Sequence, residues 1–311
     1  ITVSLVDTDG SETLDFVDIS GVPVGATLTI TPSGAATATD LGGGTWRIDG
    51  SDADIQATLA TGVTIQPGTH VGDDINLTVV AQTIESNPTN PGDVAVLTAT
   101  TTLNVTVDVV PVADQPSAVG GSFATEEDTA VALAGIGGAL VDTDGSEVLT
   151  YTISGVPTGA SFSSGTNLGG GVWSFTAAQI AGGISFTPPL NLHGTFNMTL
   201  TSFATENENG SQATNTAPIT VVVDAQADQP TITGISVGLE DTLIVFGDDF
   251  NVTLADTDGS ETLTSISLAM PGGLVPGYSA VGGATVTDLG GGVYQITGPQ
   301  ADIQQRSTRF R

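Results

Sequence analysis

The chain has no cysteine and no lysine, and only four basic residues among 311: Arg47, Arg306, Arg309 and Arg311. Without cysteine there are no disulfides, no thiolate metal sites and no cysteine nucleophile. Four basic residues against 34 acidic ones give a formal charge of −30. Nucleic acid is thereby nearly excluded as a partner, because phosphate binding needs a basic surface. An anionic membrane surface is excluded by the same sign argument. No run of about 20 apolar residues occurs, so no membrane insertion is expected. No signal peptide heads the chain, which says little, because Ile1 falls inside a repeat. Aromatic residues make up only 5%, few for stacking on sugars. Hydrophobic residues nevertheless reach 39% and the mean hydropathy is +0.22, which argues for packed domains rather than disorder. So much charge of one sign repels itself in a compact state unless cations neutralise part of it.

Against these absences stands a hexapeptide, DTDGSE, that occurs three times: Asp7 to Glu12, Asp142 to Glu147 and Asp256 to Glu261. Each copy sets three carboxylates and a turn-making glycine in six positions. A hard divalent cation wants several oxygen ligands on a loop that bends sharply. The second and third copies are 114 residues apart (142 to 256), and Ala-Asp-Gln-Pro recurs at the same distance (113 to 227). Glu127-Asp128 returns as Glu240-Asp241. A common period on independent landmarks marks a repeat protein. The first two copies lie 135 apart (7 to 142), and the Pro/Asn-rich stretch 86–93 is the expected place of the surplus.

The local pattern is β. Ile75–Val79, Leu103–Val107 and Phe196–Leu200 alternate at period two and are rich in Val, Ile and Thr. Short strands punctuated by Gly, Pro, Asn and Asp predict an all-β chain of tandem immunoglobulin-like β-sandwich modules in an elongated array. The expected modules are 1–113, lacking its opening strands, 114–227, complete, and 228–311, lacking its last strands. No sustained helical period is present; residues 53–56 and 176–180 are expected to form one short turn at most.

Leu-Gly-Gly-Gly-x-aromatic also recurs, from Leu41 to Trp46, Leu168 to Trp173 and Leu289 to Tyr294. A phosphate loop is excluded because neither lysine nor helix follows. A glycine hairpin that delivers an aromatic residue to the core remains.

Following the chain through a seven-stranded sandwich puts Glu126-Glu127-Asp128 in the loop after the first strand and DTDGSE in the loop after the second. The Glu-Asp of one module and the DTDGSE of the next then converge on one linker, which brings its own aspartates. The complete junction comprises Glu127, Asp128, Asp228, Asp256, Asp258 and Glu261. The earlier junction comprises Asp108, Asp114, Asp142, Asp144 and Glu147, with Asp73 or Asp74 as a possible addition and Asp224 as a further linker acid at the later one. Asp7, Asp9 and Glu12 form a set without its upstream partner. DTDGSE is not an EF-hand loop, since its glycine is at position four and no glutamate stands at position twelve. Calcium suits an all-protein carboxylate cage better than magnesium does. Zinc is disfavoured with no cysteine and two histidines. Those histidines, His70 and His193, fall in similar inter-strand places and are expected to be structural. No Ser-His-Asp set repeats and no acidic pair faces another across a cleft, so no enzyme is predicted.

The order Val-Ala-Asp-Gln-Pro, Glu-Asp-Thr, DTDGSE, Ser-Gly-Val-Pro-x-Gly-Ala, Gly-Gly-Gly-x-Trp and Pro-Pro-x-Asn (188–191) resembles the tandem immunoglobulin-like, or cadherin-like, extender repeats of giant type I-secreted bacterial adhesins. The resemblance covers all but the final seven residues. It implies extracellular modules at a bacterial cell surface, stiffened by Ca2+ at their junctions, that hold a binding domain away from the cell in adhesion or biofilm formation. The partners are then neighbouring modules of the same chain, or other copies in a self-assembled fibre. A spacer of a secreted carbohydrate-active or proteolytic enzyme is the alternative. The third repeat departs from the pattern, with Ala269-Met270-Pro271-Gly272-Gly273 in place of Ser-Gly-Val-Pro.

Overall fold

A computed structural model describes residues 1–7, 10–85, 97–234, 250–256, 258–270 and 282–307. Stretch 86–93, Asp9, Glu240-Asp241 and residues 271–273 lie outside them. By chain contacts the protein divides into two units, one of Ile1–Pro116, Leu140–Leu149 and Phe203–Thr214, the other of Ser117–Ala139, Thr150–Ser202 and Asn215–Arg311.

The first unit opens with β1 (Glu12–Ser20), β2 (Thr27–Ile30), β3 (Thr37–Gly42), β4 (Thr45–Asp49), α1 (Asp52–Thr61), β5 (Val63–Gln66), β6 (Ile75–Glu85) and β7 (Leu97–Val107). One sheet has the order β3-β4-β1-β6-β7, and β2 pairs with β5 in a second. Alternation decides which side chains go inward: Val17 and Ile19 of β1, Ile48 of β4, and Leu77, Val79 and Ala81 of β6 join Leu28 of β2 in one core. Burying such a side chain contributes about 1.5–3 kcal/mol.

Next come β8 (Gly121–Glu126), β9 (Val131–Ala132), β10 (Glu147–Ser154), β11 (Ser161–Phe162), β12 (Thr166–Gly169), β13 (Val172–Thr176), α2 (Ala177–Ala181), β14 (Ser185–Thr187), β15 (Gly194–Glu206) and β16 (Gln212–Asp224). The larger sheet runs β12-β13-β10-β15-β16-β8 and the smaller β11-β14-β9. Phe162 of the smaller sheet meets Trp173 and Phe175 of the larger edge-on, with both ring centroids 5.3 Å away, so the two sheets close as a sandwich. The first strand, β8, runs parallel to the last, β16, from Gly121 opposite Ile219 to Glu126 opposite Asp224. The last repeat shows β17 (Thr231–Gly234), β18 (Phe250–Thr253), β19 (Ser265–Ala269), β20 (Thr285–Gly290), β21 (Val293–Thr297) and α3 (Gln300–Ser307), with its own core around Ile296 and Ile303. The fold class is all-β, with immunoglobulin-like sandwich modules following one another along the sequence.

The glycine runs form the turns of the hairpins β3–β4, β12–β13 and β20–β21. Each hairpin is tied back by one bond: Gly44, Gly171 and Gly292 accept the N–H of Val22, Val156 and Met270. Met270 thus does in the third repeat what valine does in the others. Trp46 and Trp173 are half-buried and Tyr294 is buried.

The first helix corrects the sequence reading, whereas α2, five residues long, is the short turn expected near 176–180. Residues 53–56 belong to a ten-residue helix, α1, whose cap Ser51 accepts the N–H of Asp54. Thr176 and Gln179 form a capping box for α2. Each helix buries one isoleucine at a repeat-equivalent position: Ile55, Ile180 and Ile303. A short helix that buries only one to three side chains gives too weak a 3.6-residue period to stand out. The surplus of the first repeat is also distributed rather than confined to 86–93. Gly21 approaches the carbonyl of Asn76 as Gly155 approaches that of Asn197, so these pairs correspond. Their separations fall from 134 (21 to 155) to 121 (76 to 197), so part of the surplus lies between β1 and β6, where α1 is longer than α2.

Candidate metal centres

In the second DTDGSE copy the loop is wound by its own carboxylates. Asp142 Oδ1 accepts the N–H of Asp144 at 2.9 Å, and Asp144 Oδ1 accepts that of Ser146 at 2.7 Å. These Asx turns are why Asp, rather than Glu, holds the first and third positions. The N–H of Ser146 also lowers the Asp144 pKa, with help from Asp142 and His70. Glu147, the first residue of β10, reaches the linker, where its Oε1 accepts the N–H of Asp114 at 2.7 Å. His70 Nδ1 lies 2.5 Å from Asp114 Oδ2.

Glu206, absent from the sequence-derived set, completes this first centre. It ends β15 and is 3% exposed. Burial raises its pKa, and the charges of Glu147, Asp142 and Asp144 raise it further. A cavity of about 320 Å³ is lined by His70, Asp114, Asp142 and Glu206. All these residues belong to the first unit. Glu85 ends β6 as Glu206 ends β15, and this repeat of a strand-terminal glutamate was the available signal. Asp108 is exposed, as are Asp73 and Asp74, although Asp74 Oδ1 accepts the N–H of Val109 at 3.1 Å.

The second centre lies within the second unit. Glu127 and Asp128 form the turn after β8, and Asp128 has a left-handed φ of 58°. Glu127 accepts the N–H of Gln226 on the linker, and Glu261 accepts that of Asp228, the counterpart of the Glu147–Asp114 bond. Asp128 Oδ1 accepts the N–H of Asn191 at 2.9 Å, while Asn191 Nδ2 donates to the Ala255 carbonyl at 3.0 Å, beside Asp256. Asp258 Oδ2 receives both the N–H of His193, at 3.2 Å, and its Nδ1, at 2.6 Å. Asp258 Oδ1 accepts from Ser260 N–H at 2.9 Å. These bonds hold the Asp258 carboxyl far below the usual range, and the hydrogen bond to Asp258, with its charge, raises the His193 pKa. Burial pushes Glu127 and Asp228 upward, with neighbouring carboxylates adding to both. Asp224 is exposed and contributes its carbonyl, which accepts the N–H of Glu127. A cavity of about 440 Å³ borders Asp228, Ser260 and Glu261.

Five carboxylate oxygens in the two centres are buried with no hydrogen-bond partner: Glu147 Oε2 and Glu206 Oε2 in the first, Glu127 Oε2, Asp256 Oδ1 and Glu261 Oε2 in the second. A buried carboxylate without a partner is costly, by about 1–3 kcal/mol or more. Arg47 pairs with Asp18 instead. Buried, partnerless oxygens of hard donors fit a divalent cation such as calcium. The N-terminal set is partial: Asp7 is exposed, Asp9 lies outside the described residues, and Glu12 is half-buried and accepts the Thr83 hydroxyl at 3.0 Å.

The two histidines both reach a centre but do not occupy equivalent positions. Counted from the corresponding Asn76 and Asn197, His70 matches Asn191 (121 apart), and both have left-handed backbone, φ 57° and 51°. His193 lies two residues further on.

No protein-family model matches the sequence, and no curated protein does. Among solved structures the chain is similar to the human desmocollin-1 ectodomain, with 14% identity, a TM-score of 0.26, and 89% of this chain and 46% of that one covered. It is similar to the cadherin-like domains 1 to 4 of zebrafish RET, with 9% identity, a TM-score of 0.26, and 96% and 60% covered. It is also similar to an endo-fucoidan hydrolase of glycoside hydrolase family 107, with 13% identity, a TM-score of 0.24, and 89% and 34% covered. The chain spans roughly a third to three fifths of the length of these structures. At such TM-scores the likeness carries no functional argument.

Proposed function

We propose that the chain is a structural extender region of an extracellular bacterial adhesin, built of modules 1–113, 114–227 and 228–311, whose junctions are stiffened by calcium. The five buried, partnerless carboxylate oxygens carry this reading. In the second centre they come from the turn after β8 and the DTDGSE loop of the next repeat; in the first they come from the DTDGSE loop and the end of β15 of one repeat. Asp142, Asp144, Glu147, Asp114 and Glu206 would hold one ion, and Glu127, Asp128, Asp228, Asp256, Asp258 and Glu261 the other. Bound calcium supplies the positive charge that offsets the repulsion among these groups. The protein's contribution is to aim the oxygens: Asx turns wind the loop, and the linker N–H groups of Asp114 and Asp228 fix one oxygen of Glu147 and Glu261. In this reading the role is mechanical rather than catalytic, holding a binding element away from a cell surface in adhesion or biofilm formation.

Calcium titration of the chelated chain, with small-angle scattering in parallel, tests it. Saturable binding at two centres, with a more extended and less variable particle when calcium is bound, is expected. Asp256→Asn/Asp258→Asn should lose the second centre. Absence of binding would reduce DTDGSE to a solubility turn.

A further inference from the structure

We propose that the first centre is a mixed nitrogen–oxygen site that accepts a borderline divalent transition ion, zinc, in place of calcium, with His70 as the ligand that sets this preference. The inference deepens the calcium reading and rests on it for the carboxylate cage.

Ligand atoms of His70, Asp114 and Asp142 all lie within 4.8 Å of one another, the one such group among the described residues. An independent observation points to an ion in the same place. Glu206 lines the same cavity, is 3% exposed, and has an oxygen, Oε2, that is buried without a partner. One imidazole nitrogen with several carboxylates is a donor set that suits zinc, because imidazole is a good ligand for zinc, whereas calcium takes oxygen ligands. The scarcity of cysteine and histidine counts against zinc only where a site must be built from those residues alone.

The second centre supplies the contrast. At the position equivalent to His70 it has Asn191, with the same left-handed backbone. There the amide Nδ2 is occupied by the Ala255 carbonyl, next to Asp256, the counterpart of Asp142. An amide donor in one centre is therefore replaced by a potential nitrogen ligand in the other. His193 does not fill that role. Its Nδ1 meets Asp258 Oδ2 at 2.6 Å much as that of His70 meets Asp114 Oδ2 at 2.5 Å, but its backbone N–H is bound to the same oxygen and no two further ligand residues gather round its ring among the described residues, so this ring orients a carboxylate. The two centres share a scaffold and differ in metal preference. Coordination through Nδ1 requires the neutral His70 ring to carry its proton on Nε2.

The test is calorimetric titration of the chelated full chain with Zn2+, alone and after saturation with Ca2+, alongside imidazole nitrogen NMR. One zinc per chain is expected, with a metal-induced shift of His70 Nδ1 and no such shift of His193. His70→Asn installs the residue found at 191. It should lower zinc affinity by about tenfold or more, at least the loss typical of an orienting residue, and keep the calcium stoichiometry. Zinc affinity unchanged in His70→Asn, or a chain that binds calcium but not zinc, overturns the inference and leaves the calcium reading intact. A chain that binds neither ion overturns both. If His70→Asn fails to fold, the wild-type shift of His70 decides alone.

Discussion

Glu12 and Glu85 stand directly opposite each other on β1 and β6, and Glu147 and Glu206 hold the same strand-end positions in the next repeat. Like charges facing across an antiparallel pair are destabilising, so keeping two such pairs calls for a compensating cation. Glu206→Gln separates the two contributions. In chelator the variant should melt higher than the wild type, because a buried charge with no partner is removed, a relief of about 1–3 kcal/mol. In excess calcium it should melt lower, because the first centre has lost a ligand. The same sign in both conditions would show that Glu206 does not face an ion.

Calcium that binds only the folded chain stabilises it by mass action. At a free concentration 100 times the dissociation constant, one site contributes about 2.7 kcal/mol. Urea unfolding with and without chelator should therefore show a clear loss of stability on chelation. Asp256→Asn/Asp258→Asn should lose only the share that belongs to the second centre. Indifference of the wild type to chelation would remove the mass-action argument.

Acidity should act in opposite directions on the metal-free and metal-bound protein. Burial raises the pKa values of Glu127 and Glu206, so the folded state binds more protons than the unfolded state above the ordinary glutamate range. Their contribution is most favourable at and below ordinary glutamate values and declines as pH rises through the raised ones. His193, raised by Asp258, has the same sign, with its stabilisation lost as pH rises through its folded value. Asp258, held low by Ser260 and His193, works the other way, contributing above the ordinary aspartate range and losing that contribution only in strong acid. The chelated chain should thus melt higher at mildly acid than at neutral pH. With calcium the order should reverse, because the ion requires ionised carboxylates. Melting curves across this range, with and without calcium, check both signs.

The sequence made the repeats legible because DTDGSE does two jobs with one set of residues. Asp142 and Asp144 wind the loop, and the same loop brings Glu147 to the linker, so the motif survives as a block. Strands were legible where one face is buried and alternation is enforced, as in β6 and β15. Glu206 was not, because it lies before a polar hairpin, Asn207 to Ser211, and only the β-register brings it to the centre. His70 and His193 looked equivalent in sequence, since spacing does not reveal a two-residue offset across a loop of different length. The helix α1 was missed because it buries only Ile55, Thr58 and Leu59.

The glycine turns offer a test that involves no metal. Gly43 and Gly44 both have left-handed φ, +62° and +75°, but their surroundings differ. A Cβ at Gly43 meets nothing within 4 Å, whereas at Gly44 it would lie 2.4 Å from the Val22 carbonyl oxygen. Gly43→Ala should therefore cost about 1–2 kcal/mol, the penalty for an L-residue in left-handed backbone. Gly44→Ala adds a collision with backbone that cannot rotate away, and should cost about 2–4 kcal/mol. Gly171 and Gly292 make the same approach to Val156 and Met270, so Gly171→Ala should behave like Gly44→Ala in its own repeat. Urea midpoints of the three variants, all with calcium present, give the comparison. Equal losses for Gly43→Ala and Gly44→Ala would mean that the turn needs only the backbone freedom of glycine. A larger loss at Gly44 would show that the third glycine is there to let the hairpin close against the strand end.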